Sequence, residues 1–170
     1  GYIASGGTEA NIQAIWIYRN YFVQEYDAEL DQICILCSEH SHYSMDKAAN
    51  LLSVDIQKVK IVPTSQSITP GHVEEAIVEA IDGGKKYFIV INNMMTTMFG
   101  SVDKVEFYID ILKKLQCQYK IHVDGAYGGF YYPFTQENSS LKFSNGEISS
   151  FTLDAHKMAQ APYGTGIFLI

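Results

Sequence analysis

The chain has 170 residues, 47% of them hydrophobic and 13% aromatic, which is typical of one globular domain with a sizeable core and excludes a disordered protein. Its 12 basic and 19 acidic side chains give a formal net charge of −7, which argues against nucleic acid or an anionic membrane as the main partner. Arg19 is the only arginine, so the chain cannot build an arginine-rich phosphate clamp.

Short apolar runs alternate with helical patterns along the chain. In chain order the sequence predicts a strand at 1–5, a helix at 8–26, a strand at 33–36, a helix ending near 52, a strand at 59–62, a helix from 70 to 83, a strand at 87–91, a helix at 102–115, and strands at 121–123, 150–153 and 167–169. The first helix carries Ile12, Ile15, Trp16 and Phe22 near helical spacing. This alternation predicts an α/β fold with a mainly parallel sheet flanked by helices.

The cysteines and apolar runs indicate the compartment. Cys34 and Cys37 have CxxC spacing but lie within a predicted buried strand, and no second CxxC accompanies them, so we interpret them as reduced core residues. Reduced cysteines suit a cytoplasmic protein. No apolar run is long enough to span a membrane, and we find no signal peptide.

The two ends of the sequence suggest a longer protein. The first residue is Gly1, not methionine, and both termini fall within predicted strands. We therefore expect residues 1–170 to be an interior piece of a larger chain.

Polar clusters follow five of the predicted strands. They are residues 5–8 (Ser-Gly-Gly-Thr), 40–42 (His-Ser-His), Thr96 with Thr97, Asp124, and His156 with Lys157. Ligands bind beyond the carboxyl ends of the strands in open parallel sheets, so we expect one site at this edge.

The turn at Gly6 and Gly7 leads into a helix whose N-terminus could hold a phosphate. The alternative is an ordinary tight turn in which Thr8 caps the helix. It is not a P-loop, because no Gly-Lys-Ser/Thr follows.

His40 and His42 allow three interpretations. Both could bind a metal with Asp124 or His122, or one could lie flat against an aromatic cofactor. One could also cap the next helix while the other is exposed. We favour His42 in the site and a structural or exposed role for His40, with no metal.

Asp124 ends an apolar strand, and Lys157 follows another. A carboxylate on a pyridinium nitrogen and a lysine that bonds to an aldehyde are what a protein supplies to pyridoxal phosphate. The alternatives are a helix cap or metal ligand at Asp124 and an ordinary surface lysine at Lys157. His122 could be a partner that supports the Asp124 carboxylate.

Four segments resemble the group II pyridoxal-phosphate-dependent amino-acid decarboxylases, which include the aromatic-amino-acid, histidine, glutamate and archaeal tyrosine/aspartate enzymes. They are residues 5–11, 41–44, 122–127 and 154–158. The resemblance runs nearly end to end and in the same order.

The resemblance implies roles for individual residues. Lys157 would bond to the cofactor aldehyde and Asp124 would pair with the pyridine nitrogen, while His42 and Ala126 would cover the two ring faces. Lys157, His42 and Asp124 would be the catalytic residues. The other implied cofactor-binding residues are Gly6, Gly7, Thr8, Thr97 and His156.

Two positions depart from the family pattern. Met95 stands where relatives often have glycine, before Thr96 and Thr97. Asp154 stands where some relatives have an asparagine that contacts the phosphate. An ionised carboxylate cannot donate a hydrogen bond, so we assign Asp154 no phosphate contact.

The resemblance implies the central part of the fold-type-I large domain, 1–170, in a homodimer whose N-terminal segment and small domain lie outside this sequence. The implied reaction converts an L-amino acid to an amine and carbon dioxide, with a substrate that these residues do not identify. Alternatives are a pyridoxal-phosphate-dependent carbon–carbon lyase resembling sphingosine-phosphate lyase, a metal-dependent hydrolase using His40, His42 and Asp124, and an inactive binding protein.

Overall fold

The computed structural model describes residues 1–136 and 139–170. Its strands are β1 (Tyr2–Ala4), β2 (Ile33–Ser38), β3 (Asp55–Val59), β4 (Tyr87–Asn93), β5 (Gln118–Gly125), β6 (Ile148–Asp154) and β7 (Gly166–Leu169). Its helices are α1 (Gly7–Tyr26), α2 (Ser44–Leu52), α3 (Pro70–Asp82), α4 (Val105–Lys114) and the short α5 (Tyr132–Thr135), with a 3-10 turn at Leu30–Gln32.

The seven strands form one mixed sheet in the order β1-β7-β6-β5-β4-β2-β3. The neighbours β3, β2, β4, β5 and β6 are parallel, whereas β7 is antiparallel to both β6 and β1. Because β1 runs in the same direction as β6, the chain leaves β1, β2, β4, β5 and β6 at one common edge. The predicted fold class, a mainly parallel sheet flanked by helices, is confirmed.

Helices cover both faces of the sheet. On one face α1 and α2 pack against Ile35 and Ile89, with Phe22 among the fully buried side chains. On the other face α3 and α4 pack against Leu36 and Val90. Adjacent strand residues point to opposite faces, so the uninterrupted apolar runs of β2 and β4 serve both cores.

Local signals account for several helix boundaries. The Thr69 hydroxyl accepts a hydrogen bond from the His72 amide at 3.2 Å, and Pro70 occupies the first turn of α3, where its missing N–H costs nothing. Helix α1 ends at Tyr26, and the next residue, Asp27, adopts a left-handed φ of 53°. Ile15 and Phe22 of α1 are buried, but Trp16, which shared the predicted helical spacing, is 45% exposed.

Several strand boundaries differ from the prediction, and two of the differences bear on the sheet edges. β3 covers Asp55–Val59 instead of 59–62, and only Val59 in it is fully buried. An edge strand of this kind bonds through its backbone and carries polar side chains, so its sequence lacks an apolar run. β5 extends through Gly125, so Asp124 lies within the strand and not after it.

Two chain segments meet closely where the carboxyl end of β1 approaches β7. A Cβ built on Gly166 would lie 2.6–2.7 Å from the backbone atoms of Gly6. No side chain fits between these segments, so Gly166 lets the turn before α1 lie directly against β7. Among the described residues, no helix has the length and apolar character needed to cross a membrane.

We expect Gly166→Ala to lower the free energy of unfolding of the full-length protein by about 1–3 kcal/mol, because the methyl group overpacks the contact with Gly6. Gly146→Ala is the matched control, since a Cβ there meets no atom within 4 Å. Urea unfolding followed by circular dichroism measures both. Equal effects of the two substitutions would contradict the steric argument.

Candidate active site

A pocket of about 520 Å³ lies at the sheet edge where the parallel strands end. All the residues proposed from the sequence to bind a cofactor line it: Gly6, Gly7, Thr8, His42, Thr97, Asp124, Ala126, His156 and Lys157. They come from segments up to 151 positions apart in the chain, between Gly6 and Lys157. The structure therefore brings the predicted residues together, while their roles remain predictions.

The turn before α1 contains Gly6, and the Glu9 side chain bonds back to it at Ser5. Gly6 is the residue before the helix, and no side chain caps the first-turn amides. The Glu9 carboxylate instead accepts hydrogen bonds from the Ser5 amide at 2.8 Å and hydroxyl at 2.6 Å. Thr8 lies within α1, so the alternative in which Thr8 caps the helix is wrong. The uncapped amides and the helix dipole make this turn suitable for an anion.

Gly7 lets α1 start close to the sheet. A Cβ on Gly7 would lie 2.9 Å from the Ala126 Cβ and 3.0 Å from Asp154 Oδ2. Any larger residue would push the first turn of the helix away from the ends of β5 and β6. The glycine therefore sets the depth of the pocket floor beside Ala126.

Asp124 is a buried carboxylate, with 7% of the residue exposed. Its Oδ1 accepts a hydrogen bond from the Ala126 amide at 3.1 Å, and its Oδ2 accepts one from the Asn11 side-chain amide at 2.9 Å. Burial raises the pKa of Asp124, and these two donors together with the charges of Lys157 and His42 oppose that rise.

His42 lies in the loop between β2 and α2 and is half-buried. Its Nδ1 accepts a hydrogen bond from the Ser44 amide at 3.2 Å and contacts the Ser44 hydroxyl at 2.9 Å. Burial lowers the pKa of His42, with the charge of Asp124 opposing the shift. In the neutral ring, an acceptor Nδ1 leaves the proton on Nε2.

Asp154 is a site residue whose contact the sequence did not reveal. It is 2% exposed, and its Oδ2 lies 3.0 Å from Lys157 Nζ and 3.6 Å from His156 Nε2. Its Oδ1 is buried and has no hydrogen-bond partner among the described residues. The sequence signal for this contact was the spacing of three residues between Asp154 and Lys157 at the end of a strand. A tight turn closes there, with the Lys157 amide bonded to the Asp154 carbonyl, and it brings the lysine side chain near the carboxylate.

His122 supports Asp124 only indirectly. Its Nε2 lies 3.0 Å from Asn11 Oδ1, and Asn11 in turn bonds to Asp124. The direct partnership suggested by the sequence is therefore replaced by one through Asn11, a residue that helix α1 inserts between them. Burial lowers the pKa of His122 to about 3, so the ring is neutral at physiological pH.

The loop after β4 places Thr97 on the exposed rim of the pocket, and the Thr96 hydroxyl lies 2.8 Å from the Ser101 hydroxyl. Met95 has a φ of 67°, a conformation that favours glycine. This backbone geometry explains why glycine would suit the position at which this chain departs from the family pattern.

His40 also lines the pocket, with its ring stacked on Phe99 at a centroid distance of 4.5 Å. Within residues 1–136 and 139–170, no three His, Cys, Asp or Glu side chains are grouped so that they could hold a metal ion. The hydrolase hypothesis, which uses His40, His42 and Asp124, therefore lacks its metal site in this part of the chain.

Comparison with known families decides the classification. Residues 1–170 match the family described as the pyridoxal-dependent decarboxylase conserved domain. The chain belongs to this family. The predicted family and its cofactor, pyridoxal 5′-phosphate, are thereby confirmed. The buried carboxylate of Asp124, Lys157 and the uncapped start of α1 fit that cofactor, and the buried Asp154 Oδ1, which has no hydrogen-bond partner among the described residues, adds a polar atom near them.

Curated relatives carry decarboxylase names. The chain is 53% identical over 169 residues to a tryptophan decarboxylase of Clostridium sporogenes, covering 99% of the chain and 40% of the relative. It is 32% identical over 174 residues to a histidine decarboxylase of Vibrio anguillarum, covering 99% and 41%. The chain thus spans about two fifths of the length of these relatives.

Solved structures of low identity share the fold. Oryza sativa TDC with PLP superposes with a TM-score of 0.83 at 18% identity, covering 99% of the chain and 37% of that structure. The Burkholderia pseudomallei sphingosine-1-phosphate lyase superposes with a TM-score of 0.82 at 21% identity, covering 98% and 37%. Decarboxylases and a lyase with a different substrate therefore share this architecture, so the fold alone does not choose between them.

The buried neutral His122 makes stability depend on pH. Its folded pKa of about 3 lies below the unfolded value of about 6.5, so the unfolded chain binds more protons between these values. We expect wild-type stability to lose up to about 1.4 kcal/mol per pH unit from this group as pH falls below about 6.5. His122→Gln should lose that slope.

The measurement is the free energy of unfolding of the full-length apoprotein in urea at a series of pH values. Burial raises the pKa of Asp103 to about 6, which acts with the opposite sign, but Asp103 is present in both proteins and cancels in their difference. His72→Gln is the control, because the His72 ring nitrogen bonds to the Lys60 carbonyl at the surface. Parallel curves for wild type and His122→Gln would contradict the prediction.

Proposed function

We propose that the full-length protein decarboxylates an L-amino acid, converting the amino acid and one proton to an amine and carbon dioxide. The observation that carries this proposal is the single pocket that holds both Lys157 and the buried carboxylate Asp124 at the edge of the sheet. Family membership and the decarboxylase names of the curated relatives support the same reaction.

Pyridoxal phosphate supplies an aldehyde that bonds to amines and a ring that accepts an electron pair from the substrate. We propose that Lys157 provides the protein's amine. Asp154 would hold the Lys157 ammonium group, through the 3.0 Å contact, until that amine is needed. The Asp124 carboxylate would bind the protonated ring nitrogen, which keeps the ring a strong electron acceptor.

The phosphate group is assigned to the turn before α1. Gly6, Gly7 and Thr8 offer backbone amides at a helix N-terminus, which suits an anion in a chain with one arginine. His156 lies beside this turn, since its Cε1 would be 3.8 Å from a Cβ on Gly6. Its Nδ1 accepts a hydrogen bond from the Thr165 amide at 3.3 Å, so Nε2 carries a proton that could be donated.

Two residues are assigned to the faces of the ring. Ala126 is small and sits beside Asp124, so a flat ring can approach the sheet there. His42 would cover the other face, with its protonated Nε2 available to a substrate carboxylate. Thr97, on the rim, is assigned a contact at the edge of the ring.

The relatives, and not this pocket, support a candidate substrate. The 53% identity with a tryptophan decarboxylase makes L-tryptophan the first candidate. A carbon–carbon lyase is less well supported, because the sphingosine-1-phosphate lyase resembles this chain in fold at 21% identity only.

The assembly and location are also proposals. We propose that residues 1–170 form the cofactor-binding part of a larger domain in a cytoplasmic homodimer. The resemblance to group II decarboxylases supports the dimer, and the reduced buried cysteines Cys34 and Cys37 support the cytoplasm. The acidic net charge supports small-molecule partners over nucleic acid.

We expect Lys157→Ala in the full-length protein to abolish the long-wavelength absorption band that a covalent bond between the lysine and the cofactor aldehyde gives. Lys86→Ala is the control, because Lys86 is exposed and lies outside the pocket. Absorption spectra recorded with added pyridoxal phosphate compare the two. Survival of the band in Lys157→Ala would refute the assignment.

We expect the full-length protein to release amine and carbon dioxide from L-tryptophan faster than from L-histidine, L-aspartate or L-glutamate. Chromatography of the amines, with labelled carboxyl groups to count carbon dioxide, measures this. Turnover of all four amino acids at equal rates would contradict the proposed preference.

Asp124→Ala should reduce turnover by at least about a hundredfold, because the ring then loses its charged partner.

A further inference from the structure

The Asn11 side chain joins α1 to two other elements, the strand β5 and the helix α2. It belongs to α1 and is 1% exposed. Its side-chain nitrogen lies 2.9 Å from Asp124 Oδ2 and 3.1 Å from the Ser44 hydroxyl, and its oxygen lies 3.0 Å from His122 Nε2. One amide therefore touches the pocket carboxylate, the residue that contacts His42, and the buried histidine of β5.

The charges around Asn11 allow one orientation of its amide. An ionised carboxylate only accepts hydrogen bonds, so the NH2 group must face Asp124. The amide oxygen then faces His122 and accepts, which requires a proton on His122 Nε2. In the neutral ring His122 Nδ1 is thereby an acceptor, and the Ser150 hydroxyl at 2.7 Å supplies the hydrogen.

The far end of this network is anchored in the core. The Tyr18 hydroxyl donates to the Ser150 hydroxyl, and Thr152 Oγ1 lies 3.0 Å from His122 Nε2. Ser150, Thr152 and Tyr18 are all buried. Each polar atom along the path has its partner, so turning the amide of Asn11 over would set its oxygen against the Asp124 carboxylate and break the path at two points.

We infer that Asn11 is a positioning residue, which keeps the Asp124 carboxylate oriented toward the ring nitrogen of the cofactor and is itself held by the His122–Ser150–Tyr18 network. The inference deepens the proposed function and rests on it. Helix α1 then has a second role besides its N-terminal turn: through Asn11 it orients the carboxylate that would pair with the pyridine ring.

Among the described residues, the hydrogen bonds to the Asp124 carboxylate come from Asn11 and Ala126. Lys157, after β6, is held by Asp154, and His42, before α2, is turned with Nδ1 toward Ser44. His122 is neutral and points at Asn11. The Ala126 amide binds the other carboxylate oxygen, Oδ1. On α1 itself, the Glu9 carboxylate turns to Ser5. Loss of the Asn11 amide would therefore leave Asp124 Oδ2 buried without a donor.

The test compares two ligands on the full-length apoprotein. One is pyridoxal phosphate, and the other is its carbocyclic analogue, in which C–H replaces the ring nitrogen. Asn11→Ala is expected to raise the dissociation constant for pyridoxal phosphate by about tenfold, as befits a hydrogen bond to a charged group. The constant for the analogue should change by less than about threefold, because the analogue has no nitrogen for Asp124 to bind.

Asn20→Ala is the matched control, because Asn20 lies on the same helix and, among the described residues, its side chain bonds only to Arg19. It should leave both constants unchanged. Equal losses of affinity for both ligands in Asn11→Ala would show a general packing role and overturn the inference, as would unchanged affinity for both. If the wild-type protein binds neither ligand, the proposed function fails instead.

The pH dependence gives a second readout. The ratio of the variant to the wild-type dissociation constant for pyridoxal phosphate should increase as the pH falls, because burial already raises the pKa of Asp124 and a less well hydrogen-bonded carboxylate takes up a proton at a higher pH and then cannot pair with the ring. The same ratio for the analogue should stay flat. A flat ratio for both ligands contradicts the inference.

A measurement on the wild type covers the case in which Asn11→Ala does not fold. Neutron diffraction of the full-length apoprotein should show deuterium on His122 Nε2 and none on Nδ1. Deuterium on Nδ1 alone would require the opposite orientation of the Asn11 amide and would overturn the inference.

Asn11→Ser keeps one hydroxyl donor. Its dissociation constant for pyridoxal phosphate is expected to lie between those of the wild type and Asn11→Ala.

Discussion

The structure of the pocket depends on keeping a carboxylate charged at the buried end of a central strand. Transfer of a carboxylate from water into a protein interior costs several kcal/mol unless donors and opposite charges replace the lost water. At Asp124 the replacement comes from the Ala126 amide, the Asn11 side chain and the nearby Lys157. The burial that raises the pKa of this group would also strengthen its proposed interaction with a cationic ring, because few water molecules would screen it.

That requirement explains why the two ends of α1 are built differently. At its start, Gly7 must lack a side chain, because the helix comes within contact distance of Ala126 and Asp154. Only then does Asn11, one turn later, reach Asp124. The same close approach exposes uncapped amides at the pocket wall. Farther along, Tyr18 and Phe22 bury the helix in the core and fix its direction. A single helix therefore supplies an N-terminus suited to an anion, a hydrogen-bond donor to Asp124 and a large part of one core.

The two buried carboxylates of the pocket, Asp124 and Asp154, have different partners. Asp154 pairs with Lys157, while Asp124 has neutral donors at both oxygens. Because they sit on neighbouring parallel strands, β6 and β5, they face the same pocket from adjacent positions. Lys157 is thus held by Asp154 and lines the same pocket as Asp124. The small side chain of Ala126 lines the same pocket.

The sequence by itself determined the alternation of strands and helices, the parallel sheet and the set of polar strand ends, because these follow from local apolar periodicity and from the rule that parallel strands end at one edge. It did not locate β3, whose edge position removes the need for an apolar run. It also did not reveal Asn11 between His122 and Asp124, or the contact of Asp154 with Lys157. Those contacts join residues from separate elements, and only the packing distance between helix and sheet, set at Gly7 and Gly166, decides which polar atoms come within hydrogen-bond range.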